Sequence, residues 1–327
     1  MINIGLKIEL KEKEKRENEI NIELDEAIYT NILITNQKVI KLKNNDLAVG
    51  NDNKIEFIKN FEITGKMIRE KEIIDFTELD NENFCILKSH GIIIYKRMDN
   101  GDYEKIKMIN FDRPQMNSYN YYKIINISGN NIAILSNTKE EKSFFHFLSY
   151  PYYKLNEIKL LDIDDEGDMI QMDNLIIICF ALLDCVLIYF YNITNTSLES
   201  VNIKSYQTYK KSGRCFKINK NKILVSTIHT GIVFNIKTRQ VETFIYDFAN
   251  LNFLVNVGNY QLVGKKTIIS QINFKTGRLY NTYNFNYMKS NIHEKYNILD
   301  IIDFGNNRFF VPFLNEYIIC LFKYNIN

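Results

Sequence analysis

The residues best spaced to do chemistry in this 327-residue chain are oxygen donors between Asp162 and Asp173. Asp162, Asp164, Glu166 and Asp173 stand at places 1, 3, 5 and 12 of a twelve-residue stretch with Gly167 at the sixth, the order in which a calcium loop gathers its ligands around a tight turn. Such loops favour Glu at the twelfth place and sit between helices. Here Asp173 takes that place, Glu166 takes the fifth, and no helical spacing flanks them, so the stretch reads as a solvated acidic loop. A second candidate, Gly258 to Thr267 (GNYQLVGKKT), imitates a phosphate loop with the wrong spacing between its glycines and an extra Lys before the Thr. It also reads as a strand pair, which would leave no helix N-terminus to hold phosphate.

Histidines and nucleophiles offer less. His90, His146, His229 and His293 lie far apart, without the spacing of metal ligands, and two of them precede Gly-containing turns. No Gly-x-Ser-x-Gly elbow is present. Cys179 and Cys185 sit in an apolar run, where burial makes a thiol inert. The expectation is no catalytic group, no cofactor and no metal. Only a fold that brings distant residues to one axis could assemble a metal-centred hydrolase or lactonase from these histidines.

The elements that would position such residues are strands. Ile, Asn, Lys, Tyr and Phe are abundant, with 21 Tyr and 22 Phe, while Pro is 3 and Trp is 0. β-branched and aromatic side chains fit a pleated, half-buried surface. Hydrophobic residues at 46% can build a core, and a formal charge of +2 is too small to drive non-specific nucleic-acid binding. The five cysteines are odd in number, scattered and free of Cys-x-x-Cys pairs, which suits reduced thiols in the cytoplasm. The N-terminus turns charged too soon for a signal peptide. Leu175 to Tyr191 is apolar apart from Asp184, yet it is short for a membrane span and carries a central carboxylate. It is expected to form two buried strands turning at Leu183-Asp184-Cys185.

Self-similarity organises the rest. Asn235-Ile236-Lys237-Thr238-Arg239-Gln240-Val241 matches Asn273-Phe274-Lys275-Thr276-Gly277-Arg278-Leu279 at an offset of 38 residues, with a weaker copy from Asn192 to Leu198. Each copy ends one apolar strand in a polar turn and begins another. Extended outward, the unit has four short strands, and its second strands begin near Leu47, Phe84, Ile132, Leu175, Ile223, Leu262 and Phe309, spaced 37 to 48 residues apart. Asn- and Gly-rich turns, such as Lys43-Asn44-Asn45-Asp46 and Ser128-Gly129-Asn130-Asn131, precede most of them. Only 286 to 297 could hold a short helix or a loop.

Phe234-Asn235 with Lys237-Thr238, Ile272-Asn273 with Lys275-Thr276-Gly277, and Tyr191-Asn192 stand where WD40-type repeats carry Trp-Asp and a Thr-Gly turn, so the units over residues 37 to 327 resemble degenerate WD40 or YVTN-type repeats. The chain departs from that pattern in having no Trp and no Gly-His opening its units, and in carrying Asn where those three units would have Asp. The resemblance implies an all-β, seven-bladed β-propeller of four-stranded antiparallel blades, as one domain over 1–327. The last unit stops after Tyr317 to Lys323, so its fourth strand is expected from residues 1–36. Ile2 to Leu10, Ile20 to Leu24 and Tyr29 to Ile34 are the candidates, the surplus forming a hairpin with its tip at Lys11 to Asn18.

The resemblance also implies protein partners, hence a non-enzymatic interaction scaffold in a cytoplasmic assembly, with neither nucleic acid nor a membrane span. The alternatives are an enzyme or metal site on the axis and a structural accessory subunit. The candidate partner-binding residues are Met116, Tyr119, Tyr121 and Tyr122, in the insertion Asn110 to Tyr122, because Met and aromatics favour interfaces and loops on rigid scaffolds bind. The competing reading of these tyrosines is that they begin the core of the next blade.

Overall fold

The computed structural model describes residues 20–34, 38–60, 62–111, 119–138, 142–161, 166–204, 213–227, 230–245, 251, 253–257, 260–265, 268–274, 278–284, 297–298, 300–314 and 316–326. Every regular element among them is a strand. In chain order, β1 (Ile20–Ile34) is followed by blade 1, made of β2 (Val39–Lys41), β3 (Leu47–Gly50), β4 (Lys54–Lys59) and β5 (Glu62–Arg69). Blade 2 is β6 (Asp75–Glu78), β7 (Phe84–Lys88), β8 (Gly91–Arg97) and β9 (Tyr103–Asn110). Blade 3 is β10 (Tyr119–Ile127), β11 (Asn131–Thr138), β12 (Lys142–Ser149) and β13 (Lys154–Leu161). Blade 4 is β14 (Asp168–Met172), β15 (Leu175–Ala181), β16 (Cys185–Asn192) and β17 (Leu198–Lys204), and blade 5 is β18 (Arg214–Asn219), β19 (Lys222–Ser226), β20 (Gly231–Asn235) and β21 (Gln240–Ile245). Blade 6 is β22 (Phe253–Val257), β23 (Tyr260–Lys265), β24 (Ile268–Asn273) and β25 (Arg278–Asn284). Blade 7 follows with β26 (Asn297–Ile298), β27 (Ile302–Gly305), β28 (Arg308–Leu314) and β29 (Glu316–Ile326), and takes in β1. The fold is a seven-bladed β-propeller of antiparallel sheets.

Two compact units divide the chain, residues 31–251 with blades 1 to 5, and residues 1–30 with 252–327. In the first, the apolar runs are long because the middle strands of a blade are covered on both faces. Along β15, Ile176, Ile178 and Phe180 pack with Phe145 and Phe147 of blade 3, while Ile177 and Cys179 pack with Ile223 and Val225 of blade 5. Along β7, Phe84 and Ile86 face Ile55 and Phe57 of blade 1, and Cys85 and Leu87 face Ile132 and Ile134 of blade 3. Alternation along a strand sorts side chains between two cores, so both sets must be apolar. Each buried Phe or Ile contributes about 1.5–3 kcal/mol. The run from Leu175 to Tyr191 is therefore two strands with a turn across Leu182–Asp184, and no helix among the described residues is long and apolar enough to cross a membrane. Outer strands are covered less: β9 is largely exposed, including Ile106 and Met108.

In the second unit β22 lies beside β27. β1 pairs with β29 as the fourth strand of blade 7. The two segments Ile20 to Leu24 and Tyr29 to Ile34, expected as separate strands, form one continuous strand instead. The polar break between them is accommodated because Asp25 faces Arg308 Nε at 3.3 Å and also pairs with Lys323. Ile2 to Leu10 and the hairpin tip at Lys11 to Asn18 lie outside the described residues, as do residues 285–296. The Asn-rich turns take the left-handed backbone expected of them, with φ of 67° at Asn45 and 61° at Asn130.

Candidate functional site

Innermost strands are where a propeller gathers residues from many blades, and register identifies the equivalent positions. Lys41 pairs with Leu47, Glu78 with Phe84, Asn126 with Ile132, Gln171 with Ile176 and Lys217 with Ile223. Three residues before each stand Lys38, Asp75, Lys123, Asp168 and Arg214, a row of alternating charge across blades 1 to 5.

Asp75 Oδ1 accepts the N–H of Phe76 at 2.8 Å and lies 3.4 Å from Lys38 Nζ, while its Oδ2 accepts the N–H of Ile124 in blade 3 at 2.9 Å. Lys38 Nζ also donates to the carbonyls of Phe76 and Ile124. Two blades further on the pattern returns. Asp168 Oδ1 accepts from Met169 and pairs with Lys123, and its Oδ2 accepts the N–H of Cys215 in blade 5 at 2.9 Å. Burial works against the charge on Lys123, but the carboxylates of Asp168 and then Asp75 outweigh it and hold the ammonium group above its usual pKa. Beneath this row the Cys215 thiol is pushed well up by burial and by its neighbour Cys179.

The far ends of the same strands carry a second row. Lys43 donates its backbone N–H to Glu78 Oε2 at 2.7 Å and its Nζ to Asp80 at 2.9 Å. Asp80 reaches into blade 3, accepting from the N–H groups of Gly129 (2.6 Å) and Asn130 (3.3 Å) and from Asn126 Nδ2. Gln171 and Ser128 exchange two hydrogen bonds between blades 4 and 3. Burial would raise the carboxyl of Asp80, but Lys43, Asn126 and the two amides outweigh it and hold its pKa at about 2. A carboxyl depressed in the folded state stabilises above its unfolded pKa, about 3.9, and that contribution fades as pH falls through the folded value. The urea midpoint of Asp80→Asn should therefore lie below that of the wild type at pH 7, and the gap should close between pH 4 and 2. A gap independent of pH would contradict this. Asp80 is 38% exposed, so solvent screening keeps the effect small.

The sequence-derived candidates fall elsewhere. Asp168 begins β14, so the second half of the acidic stretch is a strand and does not wrap as a loop; 162–165 lie outside the described residues. Tyr260–Lys265, inside the candidate phosphate loop, is strand β23. His90 is exposed beside Ser89, and His229 and His293 lie outside the described residues. Met116 lies outside them too, and Tyr119 opens β10 opposite Thr138. The Tyr121 ring is buried in the core between blades 2 and 3, 5.1 Å from Phe111 and 5.6 Å from His146. Tyr122 packs against the core between blades 3 and 4, and its Oη accepts the N–H of Gly167 at 3.0 Å. Both rings thus serve blade packing.

Beside Tyr121 stands a constellation that the sequence does not announce. Ser136 Oγ lies 2.6 Å from His146 Nε2, and His146 Nδ1 lies 3.4 Å from Glu157 Oε2, on three consecutive strands. The order is that of a Ser-His-acid triad, but Ser136 and His146 are 0% exposed, so the hydroxyl reaches no substrate.

The same sheets recur in solved structures. Virginiamycin B lyase from Staphylococcus aureus superposes with a TM-score of 0.66 at 10% identity, covering 93% of this chain and 99% of that one. BamB from Moraxella catarrhalis gives 0.58 at 12% identity over 93% and 98%. The Dos1 propeller gives 0.59 at 10% over 88% and 82%. The likeness is one of fold. No protein-family model matches the chain, and no curated protein matches it by sequence. At such identities the neighbours do not transfer a site, and the axial row stands on its own geometry.

Proposed function

We propose that this propeller is a non-enzymatic interaction platform, a subunit or adaptor of a larger cytoplasmic assembly built on degenerate WD40-type repeats. One observation carries the reading. The ionisable groups that meet at the inner strands are engaged with one another and with the amides of the neighbouring blades: Asp75 and Asp168 each hold two backbone N–H groups and a lysine. A catalytic carboxylate needs an oxygen free to take or give a proton to substrate. Carboxylates committed in this way fasten blades together and leave recognition to the loops and the outer strands. The buried free thiols of Cys85, Cys179, Cys185 and Cys215 support the cytoplasmic placement.

Affinity purification of the tagged chain with mass spectrometry tests the proposal. Recovery of the same set of proteins from independent preparations is the expected result. A chain that repeatedly returns alone, or that turns over a substrate, would overturn it.

A further inference from the structure

A cleft of about 830 Å³ opens where the blade 1 and blade 2 sheets meet, lined by Asn51 and Asn53 from the β3–β4 turn, Lys54 at the start of β4, Arg69 at the end of β5, Glu70 and Lys71 just after it, and Lys88 from β7. That volume falls within the roughly 300–1,000 Å³ of ordinary ligand clefts. We infer that this cleft is a docking site for an acidic, extended segment of a protein partner, an inference that rests on the platform reading.

Four of the lining residues are cationic and one is acidic. The acidic one is already satisfied. Glu70 Oε1 accepts from Tyr95 Oη at 2.6 Å and lies 3.6 Å from Lys105 Nζ, while its Oε2 accepts from Lys88 Nζ at 3.1 Å. Burial would raise its pKa, but these partners prevail and keep it ionised. The result is a fixed, neutralised floor in which Lys88, 9% exposed, is held in place.

The walls carry the excess charge. Arg69 and Lys71 are exposed and have no carboxylate partner among the described residues; the hydrogen bond from Arg69 Nε goes to the thioether of Met67 at 3.2 Å. An exposed guanidinium suits bidentate capture of a carboxylate. Asp52 and Glu72, the nearest acids along the chain, are not part of the lining. Asn51 Oδ1 holds the N–H groups of Asn53 and Lys54 at 2.9 and 3.0 Å, which fixes the turn and leaves its Nδ2 to donate to a peptide carbonyl. Carboxylate-matching cations on the walls, an amide donor at the turn and a neutral floor suit a peptide with acidic side chains. A nucleic acid would demand a longer positive track than a chain of formal charge +2 supplies.

The test is fluorescence anisotropy with a fluorescein-labelled synthetic peptide of alternating Glu and Ser, titrated with the full chain. Saturable binding that weakens with salt is expected, together with a loss of about tenfold or more in Arg69→Glu/Lys71→Glu. Both substitutions are on exposed side chains, so an unchanged melting curve serves as the folding control. Equal affinity of the double variant, no binding at low salt, equal binding of a Lys-Ser peptide, or tighter binding of a single-stranded DNA oligonucleotide would each overturn the inference. Affinity purification separates the two readings. If the double variant keeps every partner of the wild type, the cleft assignment fails and the platform stands; if the wild type recovers nothing, the platform fails whatever the titration reads.

Discussion

Asp168→Ala should destabilise the chain by about 1–3 kcal/mol or somewhat more, the cost of leaving buried amides without their acceptor and a half-buried ammonium, Lys123, without its carboxylate. Three donors converge on this carboxylate: the N–H of Met169, the N–H of Cys215 and the ammonium of Lys123. Removing it strands Lys123 among groups that were arranged around the opposite charge and leaves the amide of β18 without its acceptor. Asp168→Asn should be milder, because the carbonyl of the amide can still accept one N–H while the pairing with Lys123 is lost. Lys123→Met placed on Asp168→Ala should recover part of the loss, since the stranded cation disappears with it. Equilibrium urea unfolding checks all three. Equal stability of Asp168→Ala and wild type would show that the inter-blade link contributes nothing.

The second large effect belongs to Gly264. It pairs directly with Phe253 across β22 and β23, and a Cβ added to it would lie 1.4 Å from Cζ of the Phe253 ring and 2.1 Å from Cε1. The ring is 1% exposed and has nowhere to retreat without moving its neighbours. Gly264→Ala should therefore cost at or above the upper end of the ~1–3 kcal/mol typical of overpacking. Phe253→Leu added to it vacates the ring's place, so the double variant should unfold at a higher urea concentration than Gly264→Ala alone. If Phe253→Leu only deepens the defect, the clash is not the cause.

Why the blades were legible in the sequence and the site was not has a physical explanation. Second strands were expected to begin near Leu47, Phe84 and Leu175, and β3, β7 and β15 begin at those residues. A strand covered on both faces is uninterrupted in its apolar character and is bounded by Asn and Gly turns, so it stands out over a few residues. The axial row has no such local signature. Lys38, Asp75, Lys123 and Arg214 each appear as one charge ahead of an apolar residue, and Asp168 is one of several acids in the stretch from Asp162 to Asp173. They become equivalent only when the units are aligned on their second strands and counted back through the hairpin. The tyrosines of the insertion were ambiguous for a related reason: Tyr121 and Tyr122 are adjacent in sequence, and strand alternation sends one ring to each side of blade 3. Ser136, His146 and Glu157 meet only through the register of β11, β12 and β13.

The pairing of β1 with β29 has a consequence for how the protein is made. β1 must remain without its partner until the six intervening blades and β29 itself have been synthesised. Blade 7 is therefore completed after blades 1 to 6 have been made, by closure of a loop that contains all of them. Until then β29's place beside β1 is an unprotected edge on the nascent chain, and this is where chaperone capture or misassembly would act.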